Sequence, residues 1–237
     1  MTKFLVSVLV FTIDMLYRDR PYQRFYVLET VARVPYFSFL SVLHLYETLG
    51  WWRKADWLKV HFAESWNELH HLLIMEALGG NNSWSDRFLA QSAALVYYWV
   101  VVVLYLITPR TAYNFMQMVE EHAHHTYATF LVEHEAEKAQ PAPPVAISYY
   151  RDGDLYMFDE FQTGTVPESR RPAVDNLYDV FVNIRDDEGE HVKTMVACQQ
   201  PDAQNTFKSP HTPVIQEAKV VLPSIKDKDV ELVTAGH

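Results

Sequence analysis

Hydrophobic and polar positions along the chain fall into five long segments of helical texture. Residues 22–49 carry apolar and aromatic side chains throughout and are closed by Gly50. A second segment begins near Trp52, runs to Ala77 and is stopped by Gly79-Gly80. Ser83 offers an N-cap for a third, the most apolar, which ends at Pro109. A fourth starts at Pro109, where a first-turn proline is tolerated, and continues to about Ala139. The texture then changes. Pro141, Pro143 and Pro144 end the helix, and Val145–Arg171, with Asp152-Gly153-Asp154 and Gly164, reads as a long irregular excursion. A last strong helix is expected over about Pro172–Cys198, and the polar, Pro-containing remainder reads as a loosely attached tail. The pattern predicts an all-α protein, with one domain over residues 1–200 and a tail over residues 201–237.

Ionisable residues interrupt these apolar stripes in a repeated way. In the last helix Leu177, Phe181, Ile184, Glu188, His191 and Met195 share one face, so a carboxylate and an imidazole sit inside an otherwise apolar stripe. A bare buried carboxylate is costly and must be compensated. Glu68-x-x-His71 repeats the spacing in the second helix, Glu29 shares a stripe with Phe25, Tyr36 and Leu40, and Glu120 shares one with Met116, Ala123, Tyr127 and Leu131. The order Glu, Glu-x-x-His, Glu, Glu-x-x-His is the ligand set of a ferritin-like four-helix bundle holding two metals. Glu121-x-x-His124 is a competitor, but its stripe of Gln117, Glu121, His124, His125 and Ala128 is mostly polar, which favours Glu120. Four carboxylates and two imidazoles suit a pair of iron or manganese ions better than tetrahedral zinc, and their four negative charges balance two divalent ions. Asn67 and Asp187 stand one turn before His71 and His191, where they could orient a liganding ring. Tyr127, on the face of Glu120, could deliver an electron and a proton beside an oxygen-activating centre.

Composition sharpens this picture. Aromatics are plentiful (13 Phe, 14 Tyr, 6 Trp) against only 7 Gly, which fits long helices rather than a turn-rich sheet. The formal charge of −10 without a basic patch argues against a nucleic-acid partner. The single cysteine, Cys198, excludes an internal disulfide framework and fits a reducing compartment. Phe88–Ile107 holds no charged residue; as a helix it would span roughly 30 Å, enough to cross a bilayer, although a bundle helix touching lipid on one side would look the same. The apolar start Phe4–Ile13 is too short to span.

The stretches Leu28–Phe37, His44–Arg53, Glu64–His71 and Asn183–His191 together resemble the alternative oxidases, and specifically the plastid terminal oxidase type, over roughly residues 20–200. The resemblance implies a diiron centre held by Glu29, Glu68, His71, Glu120, Glu188 and His191, a redox-active Tyr127, a hydrogen-bonded surround including Asn67 and Asp187, and a quinol pocket lined by Arg24, Leu28, Ala123 and Thr126. His122, where the mitochondrial branch has a third glutamate, resembles the plastid branch, as does the segment Tyr149–Pro167. It further implies a homodimer bound to one leaflet by additional docking helices, with Phe88–Ile107 lying in the leaflet and Phe4–Ile13 docking beside the quinol channel, on the cytoplasmic or stromal face of a cytoplasmic or thylakoid membrane. No long targeting extension precedes Met1, which fits a prokaryotic, cyanobacterial-type protein or a trimmed piece of a longer one. The implied reaction oxidises two plastoquinols or ubiquinols and reduces O2 to two waters, without proton pumping because no charge route crosses the membrane. A diiron quinone hydroxylase would use the same ligands, and ferritin-like iron storage is a third reading that the apolar Phe88–Ile107 disfavours.

Overall fold

The computed structural model describes residues 11–13, 15–51, 54–151 and 173–203. Those residues form helices and turns with no strand, so the chain is all-α. Seven α-helices follow in order: α1 (Pro21–Ala32), α2 (Val34–Thr48), α3 (Ala55–Ala77), α4 (Trp84–Ile107), α5 (Pro109–Glu133), α6 (Pro144–Tyr150) and α7 (Leu177–Cys198), with a 3-10 turn over Glu135–Ala139. Residues 11–13 and 15–17, just before α1, are also helical.

Several boundaries differ from the pattern reading. The helix predicted over 22–49 is two helices meeting at Arg33, because Pro35 in the first turn of α2 has no backbone N–H to continue the ladder. The fourth helix ends at Glu133 rather than near Ala139 and tightens into the 3-10 turn. Part of the expected excursion is ordered: Pro144 starts α6, which buries Ala146, Tyr149 and Tyr150. The rest of that excursion, the Trp52 helix start, most of Phe4–Ile13 and the tail beyond residue 203 lie outside the described residues. The last helix starts five residues later than Pro172, at Leu177, where Asn176 accepts the Asp179 amide at 3.0 Å as an N-cap.

α5 packs along α7, α1 and α2 pack on α3, and α4 lies across α1 and α2. One apolar cluster gathers Phe25, Tyr127, Phe130, Phe181 and Ile184, and a second gathers Phe39, Tyr105, Tyr113, Met116 and Met195. Among the described residues α4 is the one helix long and apolar enough to cross a membrane, with a mean hydropathy of 1.8. It buries only Asp86, Ala90, Val101 and Tyr105, a narrow stripe at helical spacing, and leaves Phe88, Leu95, Trp99 and Val103 exposed. Phe11, Met15 and Leu16 are exposed as well.

Candidate metal centre

The interior between α1, α3, α5 and α7 is polar where a bundle core should be apolar. Glu29, Glu68, His71 and Glu188 form one group of buried donors, each offering an atom within 4.8 Å of the others; Glu68, Glu120, Glu188 and His191 form a second. Glu68 and Glu188 belong to both groups, so they stand between two adjacent positions, with Glu29 and His71 on one side and Glu120 and His191 on the other. The i, i+3 spacing on α3 and α7 puts each pair on one inward face. Glu121 takes no part: it accepts from Gln117 at 2.7 Å on the half-buried side of α5.

The residues fit a pair of cations. Glu68 has both carboxylate oxygens buried without a hydrogen-bond partner, and Glu29, Glu120 and Glu188 each leave an Oε2 in the same condition. Native interiors rarely leave acceptors so, and several converging at one point ask for positive charge. The electrostatics agree. Burial first, and then repulsion from neighbouring carboxylates, raises the carboxyl pKa of Glu29 and of Glu120 well above the usual range. Burial also pulls Glu188 upward, but bonding and charge from His191 and His71 outweigh it and hold its carboxyl below the usual range. Burial lowers both imidazoles, yet the surrounding carboxylates, with Asp187 for His71, override it and raise His71 and His191 well above the usual histidine range. An all-oxygen-and-imidazole donor set with shared carboxylates fits two iron ions.

Hydrogen bonds orient this centre from two sides. Asp187 Oδ2 lies 3.2 Å from His71 Nε2 and accepts Asn67 Nδ2 and the Tyr150 hydroxyl, both at 2.9 Å. Asp187 thus reaches across the bundle to His71, while Asn67 also bonds the Tyr149 hydroxyl at 2.8 Å. The Tyr127 hydroxyl donates to Glu29 and the Tyr36 hydroxyl to Glu120. Sequence reasoning missed Tyr36 as a partner of the centre, though it stands two turns after Glu29 on the same stripe. It missed Tyr149 and Tyr150 as well, because their segment read as irregular.

A cavity of about 590 Å³ opens on the Tyr127 side, lined by residues that include Tyr17, Arg24, Phe25, His122, Thr126 and Phe130. Of the four residues implied for a quinol pocket, Arg24 and Thr126 line it; Leu28 and Ala123, both half-buried, do not. Phe25 forms part of its wall and stacks on Tyr127 at 4.4 Å between ring centroids, nearly parallel at 7°.

Comparison with known proteins places this geometry. Residues 1–200 match the family model described as alternative oxidase. The chain is 61% identical over 210 residues to ubiquinol oxidase 4, chloroplastic/chromoplastic, of Arabidopsis thaliana, covering 88% of this chain and 59% of that protein. It is 30% identical over 188 residues to ubiquinol oxidase 2, mitochondrial, of Glycine max (78% and 50% covered) and 32% over 173 residues to alternative oxidase, mitochondrial, of Ajellomyces capsulatus (71% and 43%). The chain spans about half of the length of such relatives, and 59% in the case of the Arabidopsis protein.

Proposed function

The chain belongs to the alternative oxidase family, and from that premise we propose that it is a quinol:oxygen oxidoreductase, oxidising two plastoquinols or ubiquinols for each O2 reduced to two waters. The observation that carries this reading is continuity: the cavity wall Phe25 stacks on Tyr127, whose hydroxyl donates to Glu29 of the metal cluster. A quinol-sized cavity with a few polar groups is thereby joined to the redox centre through one aromatic pair.

In this mechanism Glu29, Glu68, His71, Glu120, Glu188 and His191 would hold two iron ions, which would supply oxygen binding and relay quinol electrons to it. Arg24 and Thr126 present a guanidinium and a hydroxyl to the quinol oxygens and fix the ring in the cavity. Tyr127 holds its phenolic proton against Glu29, poised to pass it with an electron. Asp187, with Asn67 beside it, holds the outer nitrogen of His71 and so fixes the ring that faces the centre. The exposed apolar side of α4 supports attachment to one leaflet of a membrane, thylakoid or cytoplasmic, and a homodimer is the expected assembly.

Iron content, quinol-dependent oxygen uptake and mass analysis of the product quinone test the proposal together. The expected outcome is iron-dependent uptake with an unmodified quinone. A hydroxylated quinone would make the protein a monooxygenase, and iron loading without quinol-dependent uptake would remove the oxidase reading.

A further inference from the structure

On the side of the centre away from Tyr127 lies a second set of buried polar groups that the mechanism above does not use. His61, Glu64, Tyr113 and Tyr105 come from three helices and are almost wholly shielded from water. His61 Nδ1 is 2.7 Å from Glu64 Oε2, and His61 Nε2 is 2.8 Å from the Tyr113 hydroxyl, which is in turn 2.6 Å from that of Tyr105. With Glu64 as carboxylate, Nδ1 carries the ring proton and Nε2 accepts from Tyr113, leaving the Tyr113 oxygen to accept from Tyr105. Glu64 Oε1 is buried without a hydrogen-bond partner. Such a network in the middle of an aromatic cluster costs stability relative to apolar packing.

The network is also wired to the centre. Tyr36, whose hydroxyl donates to Glu120, has its ring 5.2 Å from His191 and 6.4 Å from His61, and His61 stacks on Tyr113 at 5.5 Å. Burial first, then Tyr105, Cys198 and Glu64, raises the phenol pKa of Tyr113 well above its usual value. Burial thus disfavours the phenolate, and an electron leaving this ring favours loss of the hydroxyl proton with it. His61 is placed to take it.

We propose that Tyr113, paired with the His61–Glu64 dyad, is a second redox-active tyrosine, discharging an oxygen-loaded centre when quinol electrons run short. The inference rests on the oxidase reading above. One electron would leave Tyr113 by way of Tyr36 toward the metal pair, with oxygen as the final acceptor. The Tyr113 O–H bond breaks and an N–H bond forms at His61 Nε2, giving a neutral phenoxyl beside an imidazolium paired with Glu64. A later quinol electron and the proton returned from His61 restore the tyrosine.

Freeze-quench EPR of the full iron-loaded, reduced chain, mixed with oxygen at limiting quinol, tests this. A tyrosyl signal should survive in Tyr127→Phe and be lost in Tyr127→Phe/Tyr113→Phe, and ring-deuterated tyrosine should narrow it. His61→Gln in the Tyr127→Phe background should also lose it, with iron content and helical circular dichroism unchanged. A signal that persists in the double variant, or one that is present in the wild type but absent from iron-loaded Tyr127→Phe, overturns the proposal. Should radical yield fall in His61→Gln only in step with iron content, the dyad is structural and the proposal also fails. Wild-type protein that binds iron but takes up no oxygen with quinol would instead remove the oxidase reading beneath it.

Discussion

Glu120 and Glu121 are neighbours in sequence, yet one lies wholly buried among carboxylates and the other bonds a glutamine on the same helix. A helix turns about 100° per residue, so phase alone separates them. That much was legible, because an apolar stripe through Met116 and Tyr127 marks the inward face. What phase could not give is the partner across the bundle: Asp187 lies one turn before His191 in sequence but meets His71 on another helix. Glu120→Ala and Glu188→Ala are expected to lose bound iron, whereas Glu121→Ala keeps it; metal analysis of purified variants decides. Equal iron in Glu120→Ala would remove it from the ligand set. The raised pKa values of Glu29, Glu120, His71 and His191 mean that the folded, metal-free site holds protons that a cation must displace. Metal affinity should therefore fall as pH drops through those raised values, and loading should release protons. Titration with ferrous or manganous ion at about pH 6 and about pH 8, the second in weak buffer with an indicator, checks both signs; pH-independent affinity would contradict the electrostatic account.

At the scale of the element, glycine decides how α3 ends. Gly79 adopts φ +81°, Gly79 N–H donates to Glu76 O and Gly80 N–H to Met75 O, a Schellman closure that the Gly79-Gly80 pair announces in sequence. Gly80 does more than turn the chain. A Cβ there would stand 2.6 Å from Tyr22 O and 2.7 Å from Tyr26 Cβ, so its absence lets the turn press against α1. Gly80→Ala is expected to cost about 1–3 kcal/mol, read as a lowered denaturation midpoint at unchanged slope. A midpoint equal to wild type would mean that the contact relaxes freely. The helices themselves were legible because each carries several periods of apolar stripe. α6 was not, since seven residues after a run of prolines offer too few turns to show a period. The break at Arg33 was hidden for the opposite reason: α2 continues the same aromatic texture as α1, and only Pro35 marks the joint.

The whole molecule places its costly polar interior between two aromatic clusters, one holding Tyr127 and the other Tyr36, each donating to a carboxylate of the centre. Stability and metal content are therefore coupled: chelation should lower the unfolding temperature, by about 2.7 kcal/mol of stability for metal previously held at 100 times its Kd. Calorimetry with and without chelator measures it, and an unchanged transition would show that the apo site finds its own compensation. Phe88–Ile107 has the composition shared by a spanning helix and by a helix half covered with lipid; in the fold α4 buries a thin stripe and leaves a broad apolar surface exposed, as attachment to lipid requires. Replacing Leu95 and Trp99 with Glu should release the protein from lipid vesicles in flotation while iron is retained, and undiminished flotation would move the docking face elsewhere.

Tyr17, which lines the cavity, directly follows the exposed Phe11, Met15 and Leu16 in the chain. A substrate reaching that cavity from among lipid tails is counted per unit of surface, not per unit of water. Diluting quinol with inert lipid at fixed total quinol should then lower turnover at subsaturating quinol, whereas diluting whole vesicles with buffer should leave turnover per enzyme unchanged. If turnover instead follows bulk concentration, the cavity is supplied from solution.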